Sequence, residues 1–390
     1  MAEREFDLIV YGATGYTGRL VADYLVQRTG ADPSLKWAMA GRSKAKLIEV
    51  RAEIDPLEST PLVVADAADP ASLKAMTARA RCVVTTVGPY QLYGEPLVAA
   101  CAEAGSDYVD LCGEPAWMRA MIDKHDAAAR KSGARIVFSC GFDSIPFDLG
   151  VWFTQEEAMK EFAAPAREIK CRVRGMKGKF SGGTAASLKA TMTAAFKDPS
   201  IIDLLKNPFA LTPGFDGARQ PSGSNPMVDE ALGVWVAPFI MAPINTKNVH
   251  RSNFLMNHPY GKDFLYSEMM MTGPGEQGEK IAHAIARDTS LMGDDAPKPG
   301  EGPTKEERDT GFYDILFIGE TARGEKIRTF CKGDRDPGYG STSKMIAESA
   351  ICLVRDSAAT PGGITTPAAA MGRALLKRLE ANAGLNFGRE

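Results

Sequence analysis

Short apolar runs alternate with helix-period segments through the first 140 residues of the chain. The runs cover 6–11, 36–40, 61–65, 82–86, 107–110 and 135–139, and the helical patterns between them cover 18–28, 44–54, 71–78, 94–104 and 116–131. Strands that are apolar on both faces and joined by helices form a parallel sheet with covering helices. Six strands and five crossovers predict an α/β, doubly wound Rossmann domain over residues 1–145.

Beyond Pro146 the pattern changes. Residues 168–177 alternate like a half-exposed strand, and 184–196 read as a helix after a Gly-Gly break. Further strands are expected at 264–271, 313–319 and 326–331, the last two joined by a hairpin loop at 320–325. Helical periodicity returns at 341–355 and 367–383, broken by Pro361-Gly362-Gly363. Residues 198–225 and 293–311 concentrate Pro, Gly and charge and read as irregular. The second domain, 146–390, is therefore expected to be α+β on an antiparallel sheet, with its C-terminal helices packing back on the first domain. The apolar run 232–244 holds two prolines and is shorter than the roughly 20 residues of a membrane span, so it is assigned to buried core.

Composition narrows the class. With 390 residues, 44% hydrophobic and 24% charged, the chain can bury two ordinary cores and is unlike a disordered protein. Its 46 Lys+Arg against 49 Asp+Glu argue against a nucleic-acid partner or a polybasic membrane binder. Seven scattered cysteines do not form a disulfide framework, and the charged first seven residues do not resemble a signal peptide, so a cytoplasmic location is expected.

The strongest chemical signal is Tyr11-Gly12-Ala13-Thr14-Gly15-Tyr16-Thr17-Gly18, between the first strand and the first helix. Glycines at this spacing allow a tight turn, close approach of a diphosphate to the helix N-terminus, and close helix–strand packing. The second strand ends in Gly41-Arg42-Ser43, where NAD-preferring domains carry an acid for the ribose hydroxyls. Arg42 lacks that acid's repulsion and offers a forked donor to a 2′-phosphate, with Ser43 and Lys46 as further donors. The expected cofactor is NADP(H), and Asp66 beyond the third strand is counted among the residues that bind it.

Thr86, Gly88 and Pro89 close the fourth strand and are expected to border the nicotinamide, while Tyr90 and Tyr93 are the candidate proton donors. Asp110 and Glu114 are expected on the same rim. Asp143 and Ser144 read either as caps of the helix that follows or as substrate ligands, and capping is the expected role. The four histidines lack metal-site spacing, no cysteine pair reads CxxC, and neither a GxSxG elbow nor a phosphate loop of the GxxxxGK[ST] type occurs. Cys112 and Cys140 lie at strand ends, as inert core thiols or reactive ones.

Together, Gly12-Ala13-Thr14-Gly15-Tyr16-Thr17-Gly18, Gly41-Arg42-Ser43, Thr86-Val87-Gly88-Pro89-Tyr90, Tyr108-Val109-Asp110-Leu111-Cys112-Gly113-Glu114 and Cys140-Gly141-Phe142-Asp143-Ser144-Ile145-Pro146 resemble the saccharopine dehydrogenase-like oxidoreductases. More narrowly they resemble the branch containing trans-acting enoyl reductases of polyketide and lipid assembly. The likeness continues through Ser181-Gly182-Gly183-Thr184, Asp336-Pro337-Gly338-Tyr339-Gly340 and Gly362-Gly363-Ile364-Thr365-Thr366-Pro367. It implies an N-terminal NADP-binding domain and a C-terminal domain carrying the substrate cleft and the contacts of a homodimer. Reduction of an activated C=C bond in a hydrophobic small-molecule substrate is the leading expectation. Opine-type C=N reduction and a catalytically silent NADP(H)-binding scaffold stay open at this point.

Overall fold

In the computed structural model, residues 4–179, 182–290, 293 and 301–390 are described. Ser181 and residues 294–300 of the expected irregular segment lie outside them. The first half of the chain runs β1 (Phe6–Tyr11), α1 (Tyr16–Ala31), β2 (Trp37–Gly41), α2 (Lys44–Ile54), β3 (Leu62–Val64), α3 (Pro70–Thr77), β4 (Ala80–Thr85), α4 (Tyr90–Tyr93), α5 (Glu95–Ala104), β5 (Asp107–Val109), α6 (Pro115–Ser132) and β6 (Arg135–Val137). It continues with α7 (Ile145–Phe162), β7 (Ala166–Lys177), α8 (Gly182–Lys197), α9 (Ser200–Lys206), β8 (Met227–Asp229), β9 (Val234–Pro238), α10 (Ala242–Leu255), β10 (Leu265–Gly273) and α11 (Gly275–Arg287). The last stretch holds α12 (Lys305–Asp309), β11 (Phe312–Thr321), β12 (Lys326–Gly333), a π-turn at Pro337–Ser341, α13 (Thr342–Arg355), β13 (Gly363–Thr365), α14 (Pro367–Asn382) and β14 (Leu385–Arg389).

The first sheet has the order β13-β6-β5-β4-β1-β2-β3, and its pairings are parallel. β1 lies next to the central β4, with Leu8 opposite Trp37 on β2 and Cys82 on β4. Its Leu8, Ile9 and Val10 are fully buried, which explains the unbroken apolar run. The seventh strand, Gly363–Thr365, comes from the far end of the chain and pairs with β6. α13 packs on β1, β4 and β5, and also on α1. The C-terminal segment thus covers part of the first sheet.

The second sheet runs β14-β12-β11-β7-β10-β9-β8 and is antiparallel except where β10 pairs with β7. α7 lies against β7, β11 and β12, and α10 against α7 and β10. The apolar run 232–244 divides into strand β9 and the start of α10, with Val236, Ala237 and Phe239 buried. Within the segments expected to be irregular, α9 and α12 are short helices. α12 is fixed by a capping box of Thr304 and Glu307.

Between β7 and β8, Arg172 donates to Asp229 at 2.7 Å and to the Cys171 carbonyl at 2.8 Å, with both charged side chains buried. Removing one partner leaves the other charge without compensation in the core. Arg172→Ala is expected to lower stability by about 3–5 kcal/mol, read by urea unfolding monitored by circular dichroism. A loss below about 1 kcal/mol, the level of an exposed pair, would contradict this account of the sheet.

Candidate functional site

The glycine turn brings three segments together. Gly12 has φ +93°, and its amide and that of Ala13 donate to the Ala40 carbonyl at 3.0 and 3.1 Å, tying the turn to β2. A Cβ on Gly12 would lie 2.8 Å from Val87 and 2.9 Å from the Thr86 hydroxyl, and one on Gly18 would lie 2.1 Å from the Gly12 carbonyl. These two positions therefore exclude side chains through the fold itself. Gly15 differs: it is exposed, and its Cβ would meet only the Gly12 carbonyl, at 3.4 Å. It begins α1 with no side-chain cap, and no acid stands in the first turn, so the amide end of the helix keeps its positive character.

The surroundings fix the rest of the turn. Ala13 is buried, Thr14 and Thr17 are partly exposed, and Thr86 donates its amide to the Tyr11 carbonyl at 3.1 Å. The Tyr16 hydroxyl donates to the Pro303 carbonyl and accepts from Arg308 at 2.6 Å, while its ring meets Tyr339 edge-on at 4.7 Å. The Asp336–Gly340 turn is thus packed beside the glycine loop, an arrangement the separate motifs gave no means of foreseeing. Asp336 holds this turn by accepting from Gly340 at 2.7 Å and Tyr339 at 3.0 Å.

At the end of β2, Arg42 is exposed and has no hydrogen-bond or ion-pair partner among the described residues. Ser43 caps α2, its hydroxyl accepting the Lys46 amide at 3.3 Å, and the Lys46 side chain is exposed. Asp66 accepts from Ala68 at 3.0 Å. Burial first, and then the Asp66 charge, push the Tyr11 phenol up to about 12, and Arg42 pulls the other way. The ends of β1, β2 and β3 therefore share one electrostatic neighbourhood. An uncapped helix start, an open glycine and an unpaired guanidinium fit a phosphorylated dinucleotide.

The β4 loop is held from below. Gly88 and Pro89 are joined by a cis peptide, and Glu114 accepts the amides of Tyr90 at 2.9 Å and Gln91 at 2.8 Å and the Ser187 hydroxyl at 2.7 Å. Tyr90 is buried, and its hydroxyl donates to the Thr85 carbonyl at 3.3 Å and accepts the Leu111 amide at 3.0 Å. Burial pushes this phenol well above its ordinary range, so Tyr90 is committed to bracing the loop. Tyr93 points outward at 48% exposure. Asp110 accepts Cys112, Ser139 and Tyr108 at 2.8–3.0 Å, joining the ends of β5 and β6, and burial raises it to about 7. Cys112 and Cys140 are buried and shifted well upward by desolvation, which keeps both as thiols.

Ser144 makes no capping bond, contrary to the sequence expectation, because its hydroxyl is drawn into the junction between the sheets. It donates to Asn245 at 2.8 Å and accepts from Asn248 at 2.8 Å. Asn245 in turn donates to Glu268 at 2.7 Å, which also accepts from Tyr266 at 2.8 Å. Burial pushes Glu268 up to about 8. These four partners lie on α10 and β10, and no motif in the sequence marked them. Asp143, also expected as a cap, forms no such bond and lies beside Gly113 in the loop after β5. A separate cavity of about 420 Å³ lies between α6, α8 and α9, with Trp117, Ala120, Ala194, Ile201 and Leu204 in its walls and Gln91 at one end.

Among the described residues no group of His, Cys, Asp and Glu is arranged to hold a metal ion, and no helix is long and apolar enough to cross a membrane. The fold and glycine turn define an NADP-binding oxidoreductase: residues 8–137 match the model of the saccharopine dehydrogenase NADP-binding domain. The chain belongs to the family of the trans-acting enoyl reductases. It is 42% identical to a Mycobacterium tuberculosis protein provisionally named a trans-acting enoyl reductase, with 97% of this chain and 96% of that one aligned. It is 39% identical to the trans-acting enoyl reductase of Mycobacterium ulcerans over the same shares. The fold is also that of apo saccharopine dehydrogenase (L-Glu forming) from Saccharomyces cerevisiae, with a TM-score of 0.55, 11% identity, and 98% and 99% of the two chains covered.

Proposed function

We infer that this protein uses NADPH to reduce the activated C=C bond of an enoyl thioester carrying a hydrophobic acyl chain. The observation that carries the reading is the uncapped, Cβ-free start of α1 beside the unpaired Arg42. In this reading Gly12, Ala13, Thr14, Gly15, Tyr16, Thr17 and Gly18 seat the diphosphate. Arg42, Ser43 and Lys46 hold the 2′-phosphate, and Asp66 flanks the adenosine. Thr86, Gly88 and Pro89 border the nicotinamide ribose. The bound cofactor supplies the hydride, and the protein positions the acceptor and excludes water.

Tyr90 keeps the β4 loop in place through Glu114 and the backbone, and Tyr93 is exposed just beyond it. The cavity beside Gln91 joins Trp117, Ala120, Ala194, Ile201 and Leu204 with the polar Arg119, Asp123 and Asp198, and its apolar wall supports a hydrophobic acyl group. The alternative, C=N reduction of an amino acid, needs free cations for several carboxylates. Arg172 and Arg174 are paired with carboxylates, and Arg251 donates to the carbonyls of Leu211 and Ile364. A cytoplasmic homodimer completes the reading, and light scattering at micromolar protein checks the dimer.

The test is NADPH oxidation followed at 340 nm with enoyl thioesters in one series and a keto acid plus amine in the other. Turnover confined to the enoyl series is expected. Turnover confined to the amine series would replace this reading by the alternative.

A further inference from the structure

Asp143 lies in the turn that links the end of β6 to α7, between two anchored neighbours. On one side the Phe142 amide donates to Thr342 at 3.0 Å, and the Phe142 ring packs edge-on against Phe147 and Tyr313 at 5.4 and 5.0 Å. On the other side Ser144 is pinned by Asn245 and Asn248 at 2.8 Å each. The backbone that carries the carboxyl is thus fixed from both halves of the molecule, as a group that must meet a reacting atom requires. The side chain itself is partly exposed and has no hydrogen-bond or ion-pair partner among the described residues. It faces the loop after β5, where a Cβ on Gly113 would stand 3.8 Å from Asp143 Oδ2. That loop and the β4 loop both lie at the carboxyl ends of the parallel strands, the edge at which open α/β sheets hold their ligands.

Other acids near this edge are occupied. Glu114 binds two backbone amides and a hydroxyl, Asp110 binds two amides and a phenol, and Glu268 binds Asn245 and Tyr266. Desolvation in the turn raises the Asp143 carboxyl to about 7, so the protonated form is populated up to neutral pH and is lost as the pH rises further. The titratable groups that feel its charge are Glu268 on β10 and Cys112 after β5, and Arg172 offsets that effect at Glu268.

We propose that Asp143 is the catalytic acid, donating its proton to the α-carbon of the acyl group as the β-carbon receives the hydride. This rests on the enoyl-reduction reading. When the C–H bond forms at the β-carbon, the π electrons move toward the α-carbon and the thioester oxygen. The Asp143 O–H bond then breaks, a C–H bond forms at the α-carbon, and the carboxylate left behind takes a proton from water. NADPH is oxidised and the double bond reduced by two electrons. The Ser144–Asn245–Glu268 chain positions the turn and transfers no proton in this scheme.

The experiment measures kcat and KM for an enoyl thioester between pH 5.5 and 9, together with NADPH affinity, for the wild type, Asp143→Asn and Asp143→Glu. Wild-type kcat is expected to be level at low pH and to fall as pH rises through about 7. Asp143→Asn is expected to lose at least about 100-fold in kcat, to lack the descending limb, and to bind NADPH as the wild type does. Asp143→Glu is expected to recover part of the rate with a displaced limb. Wild-type kcat in Asp143→Asn, or a limb unmoved in Asp143→Glu, overturns the proposal. If Asp143→Asn does not fold, the position of the limb in Asp143→Glu decides alone. Absence of any wild-type turnover with enoyl thioesters fails the parent reading, whereas wild-type turnover that the Asp143 variants leave unchanged fails only the catalytic acid.

Discussion

Gly15→Val should leave a folded protein that no longer binds NADPH. The residue has φ −78° and ψ 165°, a conformation open to any side chain, and its Cβ would meet only the Gly12 carbonyl, at 3.4 Å. The fold therefore tolerates the change at the cost of an ordinary substitution at a helix start, about 1 kcal/mol. The new methyls would stand over the uncapped amides of α1, in the space the diphosphate needs. Calorimetric titration is expected to show at least a 100-fold loss of NADPH affinity (about 2.7 kcal/mol) with a cooperative melt retained. Gly18→Ala provides the contrast. Its Cβ would fall 2.1 Å from the Gly12 carbonyl, so destabilisation of about 1–3 kcal/mol or more should accompany any loss of binding. Native affinity in Gly15→Val would place the nucleotide elsewhere.

The second large effect is at Arg42. Its side chain is exposed and unpaired, so nothing in the fold depends on it, and Arg42→Asp should leave stability within about 0.5 kcal/mol of wild type. A charge-assisted contact of this kind is worth about 1.5–3 kcal/mol, or roughly 10–150-fold in affinity. The aspartate adds repulsion against a 2′-phosphate and offers an acceptor to free ribose hydroxyls. NADPH affinity is thus expected to fall by at least 100-fold, while NADH affinity rises. Ratios of dissociation constants for the two cofactors in the wild type and variant measure this directly. An unchanged ratio would remove Arg42 from the specificity site.

Much of the first sheet was legible because a strand buried on both faces must be apolar throughout. The 6–11 and 82–86 runs have this property, and the spacing of the glycines after β1 was readable although the contacts that exclude a side chain at Gly12 come from Thr86 and Val87 on the distant β4 loop. Gly363–Thr365 was not legible as the seventh strand, since three residues carry no period and the partner strand lies more than 220 residues away. α10 was hidden for a different reason. Asn245, Lys247, Asn248, His250, Arg251, Ser252 and Asn253 are buried polar residues on that helix, so polar side chains occupy its buried face and leave no apolar stripe.

The same physics explains which site residues the sequence obscured. Arg42 was readable from its place after β2, since strand order determines where the 2′-phosphate would sit. Ser144 looked like a cap because a serine before Ile-Pro at a helix start is the usual local solution. Its hydroxyl is instead used by two asparagines 101 and 104 residues later. Tyr90 looked like a free phenol, yet its hydroxyl serves Thr85 and Leu111, contacts that exist only once β4 and β5 are side by side. Long-range pairing, rather than composition, separates a bracing tyrosine from a proton donor.

The most direct measurement follows a label. NADPH carrying deuterium on either face of its reactive carbon is incubated with the protein and an enoyl thioester, and the acyl product is analysed by mass spectrometry and NMR. Deuterium from one of the two labelled forms, placed at the β-carbon with a solvent-derived hydrogen at the α-carbon, is the expected outcome. A saturated product without label, or no product while a keto acid and amine become labelled, would contradict hydride delivery to a carbon–carbon double bond.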